Sequence, residues 1–315
     1  MAANLLGRYI WLVDILKRHK RLTLKEINIL WQESSLGYGD PLPRKTFNNH
    51  RQAIADIFDV YIECDKKNGY KYYIDEPERL EGNNFRNWLL NSYATLNQIQ
   101  ADKRLENRIL FEETPSGQTW LTCIAEAMRL NRVLRITHQG FGKPEPFTFE
   151  IEPYCLKVAN RRWYVLARSP YYSERNKEKG IKPTNVFRVY ALDRISDIQE
   201  SDKTFTLDKN FDANRYFEGC CGVISSDEPA ARVVIRAYEG FADYLRTLPL
   251  HQSQRELESD KDSTLFEYHV KPTFDFYQLV LAQGDQMEIL EPESIREEMR
   301  NITINLMSYY CNKKD

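Results

Sequence analysis

This chain lacks most of the patterns that carry catalysis. Its 6 cysteines include no CxxC pair, Cys220 and Cys221 are adjacent, and His19, His50, His251 and His269 show no ligand spacing. A zinc site or redox dithiol of that spacing is therefore excluded, and the cysteines read as reduced thiols. Its 13 glycines form neither GxGxxG nor GxxxxGKS/T, and HExxH and GxSxG are missing, so the common nucleotide-cofactor, metallopeptidase and hydrolase signatures are absent. No enzyme, cofactor or metal is expected. No apolar run approaches the roughly 20 residues of a membrane span, and the N-terminus has no leader-like apolar core with a cleavage site, so a cytoplasmic protein is expected.

At 315 residues the chain exceeds one ordinary core, and several domains are expected. The net charge of −2 conceals segregation. Residues 1–75 hold 12 Lys and Arg against 9 Asp and Glu, residues 76–130 hold 6 against 8, residues 131–200 hold 13 against 8, and residues 201–315 hold 13 against 21. The first and third segments are the ones suited to polyanions.

The densest signal is Arg161-Arg162-Trp163-Tyr164-Val165-Leu166-Ala167-Arg168, followed by Phe187-Arg188-Val189-Tyr190-Ala191-Leu192-Asp193-Arg194-Ile195. Strand alternation puts Arg162, Tyr164, Leu166 and Arg168 on one face of the first stretch. It puts Arg188, Tyr190 and Leu192 on one face of the second, with Arg194 in phase beyond. Joined, the two faces would form a cationic, aromatic platform for an anionic, ring-bearing ligand such as a nucleotide or single-stranded nucleic acid. The same residues also suit ordinary solvated strands whose arginines pair with Asp193 or Glu152.

The Trp-Tyr-Val run and the downstream Arg-x-Tyr-x-Leu-Asp-Arg-Ile resemble the signature of the WYL domain, with Val165 in place of the name-giving leucine. The resemblance implies a small SH3/Sm-like β-barrel in a bacterial regulator, a basic pocket that binds a nucleic-acid or nucleotide effector, and a DNA-binding domain ahead of it. It carries Tyr164, Arg188 and Arg194 over as pocket-lining residues. Arg168 joins them on strand phase, and His138 joins as the polar group that the family's first strand commonly contributes.

The N-terminal segment, residues 1–76, reads as a winged helix-turn-helix. Tyr9, Leu12, Val13 and Leu16 predict a helix over residues 4–19, and Thr23 caps a second helix from Leu24 to about Glu33. Pro43 suits the first turn of a third helix, along which Phe47, Ile54 and Phe58 converge. The opposite face presents Lys45, Asn48, Asn49 and Gln52, side chains that read base edges and phosphates, with Arg44 and Arg51 placed to grip the backbone. Two strands around Asn68-Gly69 predict a hairpin with a two-residue turn. That turn sets Lys66 opposite Lys71, near Lys67 at the tip, a like-charge conflict that a phosphate would relieve.

Residues 77–130 read as a helical linker, with a helix over 84–105, a short strand at 109–111, a turn at Pro115-Ser116-Gly117 and a second helix from Trp120 to Leu130. The barrel is expected over 131–200, with residues 169–183 as a long, charged, mobile loop. Residues 201–315 alternate β-α-β-β-α-β, which resembles a ferredoxin-like module and the C-terminal extension that often follows a WYL barrel. Ile295, Met299, Ile302 and Leu306 stripe the last helix as core or dimer seam. The expected fold class is thus α+β and multidomain, with a coupling or dimerisation module at the end.

The favoured function is a ligand-responsive DNA-binding transcription regulator, a homodimer on double-stranded operator DNA, whose barrel senses an anionic effector. The alternative is an RNA- or single-stranded-DNA-binding accessory protein that reads no promoter.

Overall fold

The computed structural model describes residues 5–34, 36–37, 39–77, 116–182, 186–226, 228–238 and 240–311. The expected helix over 84–105 and strand over 109–111 lie outside the described residues. The chain divides into two compact units, residues 1–112 and 113–315.

The first unit packs helices α1 (Leu5–His19), α2 (Leu24–Glu33) and α3 (Arg44–Phe58) with strands β1 (Leu22–Thr23), β2 (Ile62–Asp65) and β3 (Lys71–Ile74) in the order β1-β3-β2. Leu12, Leu16, Ile27, Trp31, Phe47, Ile54 and Phe58 bury the helical stripes against Ile62 and Tyr72. Thr23 starts α2 through a reciprocal capping box: its hydroxyl accepts from Glu26 N at 3.3 Å, and the Glu26 carboxylate accepts from Thr23 N at 2.7 Å. Pro43 takes the N-cap position of α3, one residue ahead of the first turn.

The hairpin differs from its expected form. Asp65 pairs with Lys71, so the connection spans Lys66 to Tyr70, and Lys66 does not stand opposite Lys71. The cause is the Asp65 carboxylate, which accepts from Lys67 N at 3.2 Å, Asn68 N at 3.1 Å and Asn68 Nδ2 at 2.7 Å. That side chain organises the turn from within, an option that a two-residue turn forecloses. Strand β1, unforeseen, completes the sheet on β3.

The second unit opens with a 3₁₀ turn (Gln118–Trp120) and α4 (Leu121–Leu130), then β4 (Arg132–His138), β5 (Phe147–Ala159), β6 (Arg162–Arg168), α5 (Pro170–Glu178), β7 (Phe187–Ala191), a 3₁₀ turn (Leu192–Arg194) and β8 (Ile195–Thr204). The strands form one antiparallel sheet, β7-β6-β5-β4-β8. Asn160 and Arg161 join β5 to β6 with φ of 47° and 58°, the two left-handed residues of a tight hairpin turn. Ile124 and Ala127 of α4 sit in the same core as Leu134, Ile136, Phe149 and Val165. Residues 121–130 of the expected linker therefore fold with this sheet. The expected loop over 169–183 holds α5 instead, because Ser169 caps a helix whose first residue is Pro170.

A short helix α6 (Ala213–Tyr216) leads to β9 (Ala231–Tyr238), α7 (Phe241–Thr247), β10 (Arg255–Ser259), β11 (Ser263–Val270), α8 (Phe274–Leu281), β12 (Met287–Glu291) and α9 (Glu293–Cys311). The sheet runs β10-β11-β9-β12, all antiparallel, and buries Val233, Ile235, Phe266 and Tyr268 under Phe276, Val280 and Ile295. No described helix is long and apolar enough to cross a membrane. All six cysteines are unpaired in disulfide terms, with Cys220 buried and Cys311 exposed.

Two outcomes test the first unit. Thr23→Ala should destabilise it by about 1 kcal/mol in chemical denaturation, the usual worth of an N-cap. His50 packs edge-on to Tyr9 at 5.2 Å with Nδ1 buried and unpartnered, and burial, with Arg8 nearby, holds it below its ordinary 6.5. The unfolded chain therefore binds the proton more readily, so stability is fully present above 6.5 and falls as pH drops below it. Hydrogen exchange of α3 peptides should quicken near pH 5 relative to the change in His50→Phe.

Candidate effector and nucleic-acid sites

The register of β6 on β7 decides which side chains can meet. Tyr190 lies opposite Val165 and Arg188 opposite Ala167, while Phe187 lies opposite Arg168 and Ala191 opposite Tyr164. Directly opposed residues project to the same face. Arg188 and Tyr190 therefore share the face of Val165 and Ala167, and Tyr164 and Arg168 lie on the other. The single platform expected from alternation is split in two. Alternation along each strand was correct; which face of one matches which face of the other depends on register, which alternation does not contain.

On the first face a cavity of about 530 Å³ is lined by His138 of β4, Phe147 and Phe149 of β5, Tyr171, Tyr172 and Arg175 of α5, and Arg188, Val189 and Tyr190 of β7, with Phe141, Lys143 and Glu145 from the β4–β5 connection. His138 meets Tyr190 edge-on at 5.4 Å, and Tyr190 packs on Phe149 at 5.4 Å. His138 Nε2 and the Tyr190 hydroxyl are buried with no hydrogen-bond partner. The Ser169 hydroxyl, beside Tyr190, donates to the Glu150 carbonyl at 3.0 Å and keeps lone pairs through which it can accept. Burial, reinforced by Arg194 and opposed by Asp193, holds His138 below its ordinary 6.5, and burial pushes the Tyr190 phenol up. At neutral pH both groups are uncharged and able to donate or accept.

The cations around them rest on rings. Arg188 lies 4.2 Å from the Tyr172 ring centre, and Arg194 lies 3.4 Å from that of Phe141, itself 80% exposed. Among the described residues neither arginine is within ion-pair distance of a carboxylate, whereas Arg162 pairs with Asp193 at 2.8 Å. Of the sequence-predicted effector residues, the fold brings together His138, Arg188 and, at the rim through Phe141, Arg194. It adds Tyr172, Arg175 and the exposed Phe147, which sequence reasoning left out of the site, and it keeps Tyr190, which alternation had placed on the platform but outside the named pocket residues. The Ser169-Pro170 helix start was the signal that could have placed Tyr171, Tyr172 and Arg175 on an ordered element.

On the second face Arg168 sits over the rings of Tyr154 at 4.9 Å and Phe187 at 4.7 Å, donates to Tyr154 Oη at 2.8 Å, and pairs with Asp208 at 3.4 Å. Phe205 and Phe211 close around Tyr154. Arg168 is thus built into an aromatic clamp, and Tyr164 lies across from Lys157 and Ala191, away from the cavity. Neither lines that cavity.

In the first unit, Arg44, Lys45, Asn48, Asn49 and Gln52 are exposed along α3, and Lys66, Lys67 and Lys71 are exposed on the hairpin. Gln52 donates to Asp56 at 3.0 Å. Arg51 departs from its expected role: its guanidinium turns inward, donates to the Ile62 carbonyl at 2.9 Å, and lies over the Tyr72 ring at 5.2 Å. It ties α3 to β2. Among the described residues no group of three His, Cys, Asp or Glu could hold a metal ion.

Comparison with known families places a WYL domain at residues 119–200 and a WCX domain at residues 229–304. Among solved structures the chain is similar to proteasome accessory factor B/C (PafBC) of Arthrobacter aurescens, at 15% identity and a TM-score of 0.36, over 93% of this chain and 45% of that one. It is also similar to a protein described as CRISPR Cas-related, at 12% identity and a TM-score of 0.38, over 88% of this chain and 76% of that one. The chain thus spans less than half the length of the Arthrobacter protein. No curated protein matches it.

The two faces make opposite demands on their arginines. Arg168→Ala should lower stability by about 2 kcal/mol through loss of two ring contacts and a hydrogen bond, with anion binding by the folded fraction unchanged. Arg188→Ala should leave thermal unfolding within a degree or two and weaken anion binding about tenfold, read by calorimetric titration.

Proposed function

We propose that this chain, which carries a WYL domain followed by a WCX domain, is a ligand-responsive DNA-binding transcription regulator. In this reading residues 1–76 are a winged helix-turn-helix, the WYL domain is a small SH3/Sm-like barrel that senses the effector, and the C-terminal ferredoxin-like module couples sensing to a homodimer. The observation that carries it is the pair of buried, unpartnered polar atoms, His138 Nε2 and Tyr190 Oη, in a cavity walled by rings and cations. Unsatisfied buried donors and acceptors are costly, and a ligand that bonds them removes the penalty. Rings for stacking and arginines with only aromatic partners favour an anionic, ring-bearing molecule, a nucleotide or single-stranded nucleic acid.

The exposed Lys45, Asn48, Asn49 and Gln52 support DNA reading by α3, with Arg44 and the hairpin lysines on phosphates. Coupling requires the effector to bind the DNA-competent and incompetent forms with different affinity.

The test is binding of the full chain to duplex DNA from upstream of its own gene, with short single-stranded oligonucleotides as competitors, over a range of salt. Specific duplex binding that weakens with ionic strength and is released by single strands is the expected result. Asn49→Ala should weaken specific duplex binding about 10- to 100-fold and leave effector binding intact. Arg188→Ala should do the reverse. Single-strand binding with no preferred duplex would sink the regulator reading in favour of an accessory nucleic-acid binder.

A further inference from the structure

The cavity beside Arg188 has one acid in its lining. Glu145 shares the wall with Lys143, Arg175 and Arg188, yet among the described residues its carboxylate has no ion-pair or hydrogen-bond partner. A site that served anions alone would gain by losing it, since its charge repels the ligand. The connection that carries Glu145 is ordered by its own bonds. Gly142 takes a φ of 66°, Lys143 N donates to the Gly140 carbonyl at 3.2 Å, and the Gln139 side-chain amide donates to the Lys143 carbonyl. Pro144 and Pro146 then restrict the backbone on both sides of Glu145, because a proline fixes its own φ and confines the residue before it. Two residues on, Phe147 is 46% exposed, stacks on Phe149 at 5.8 Å and meets Tyr171 at 5.0 Å.

We propose that this cavity selects guanine among the nucleobases, and that Glu145 is the residue that selects it. The proposal rests on the nucleotide-effector part of the reading above and on no other part. Of the common bases only guanine carries two adjacent donors, N1–H and N2–H, on its Watson–Crick edge. Adenine and cytosine set an amino donor beside an acceptor ring nitrogen, and uracil and thymine set one N–H between two carbonyls. An ionised carboxylate only accepts, through two oxygens side by side. It therefore bonds guanine in two places, and any other base in one, with a lone pair of that base turned against its second oxygen. Guanine O6 lies next in line and accepts, and the buried His138 Nε2 or Tyr190 Oη can donate to it. Phe147 and Tyr171 supply rings for stacking, and Arg175 and Arg188 supply charge for the phosphate. Ordinary solvation would account for a glutamate on an open loop. It does not account for a carboxylate set between two prolines in the wall of a cavity otherwise suited to anions.

Calorimetric titration of the full chain with the guanine, adenine, cytosine and uracil ribonucleoside monophosphates tests this, alongside short thymine strands that carry one central guanine or one central adenine. The guanine member of each set should bind about tenfold tighter, the discrimination expected of one bidentate pair. Inosine monophosphate, which lacks the N2 amino group, should fall between the guanine and adenine nucleotides. Glu145→Gln should weaken guanine binding about tenfold and leave adenine binding unchanged or slightly tighter, because the amide exchanges one acceptor for a donor and removes the repulsion of phosphate. A merely structural role for Glu145 would move all the ligands together. Guanine preference shown by the strands alone assigns a base within a strand as the ligand, and preference shown equally by the mononucleotides assigns a free nucleotide. Equal binding across both sets, or a guanine preference that survives Glu145→Gln, would overturn the proposal and leave the effector reading standing. Binding of no nucleotide and no strand would overturn both.

Discussion

The lining of the cavity on the WYL sheet depends on one register. With Val165 opposite Tyr190, the aromatic core that contains Phe149 and Tyr190 closes over Ala127 and Ile124, and Arg188 is carried to the cavity mouth. A slip of one residue would turn Tyr190 out of that core and bring Arg188 to the side of Arg168, leaving His138 without its ring partner. The register is held from both sides. Tyr190 is buried on one face, and on the other Phe187 packs against Tyr154 at 4.9 Å. Hydrophobic burial, spread over both faces, therefore fixes where the cations stand, and the cations contribute little to fixing it.

The arginines divide by what surrounds them. Arg162 and Arg168 have carboxylate partners, and Arg168 is also held by a phenol and two rings, so their charge is largely spent within the fold. Arg188 and Arg194 rest on Tyr172 and Phe141, whose faces stabilise a cation without neutralising it. Next to them His138 is held neutral, in part by Arg194 itself. The cavity thus sets the Arg188 guanidinium, resting on a ring, beside two neutral hydrogen-bonding groups, His138 and Tyr190.

Local chemistry was legible wherever the relevant physics acts over a few residues. The Thr23 capping box, the α3 stripe of Phe47, Ile54 and Phe58, and the β-α-β-β-α-β order of the last hundred residues all follow from periodicity and end signals, and the structure has each. What failed was non-local or depended on a single side chain. Asp65 redirected the hairpin by satisfying three donors, Arg51 found the Ile62 carbonyl across the helix–strand boundary, and the β6–β7 register reassigned Tyr164 and Arg168. Each of these is a choice among alternatives that the sequence permits about equally, settled by packing partners far away in the chain. The α5 helix is different: Ser169-Pro170 is a local helix-start signal, set against a run of charge over residues 174–182 that has no helical stripe.

The split of the sheet into two faces carries a mechanical consequence. Phe187 and Arg188 are neighbours on β7, so one belongs to the aromatic clamp and the other to the cavity wall. The clamp continues through Phe211 to Tyr216 and Phe217, the segment that leads into the WCX domain, and Phe217 meets Lys157 of β5 at 3.9 Å. Packed interiors resist compression, so a displacement of β7 that accommodates a ligand at Arg188 must be absorbed by the rings around Phe187. The cavity and the C-terminal segment are therefore joined through the thickness of a single strand.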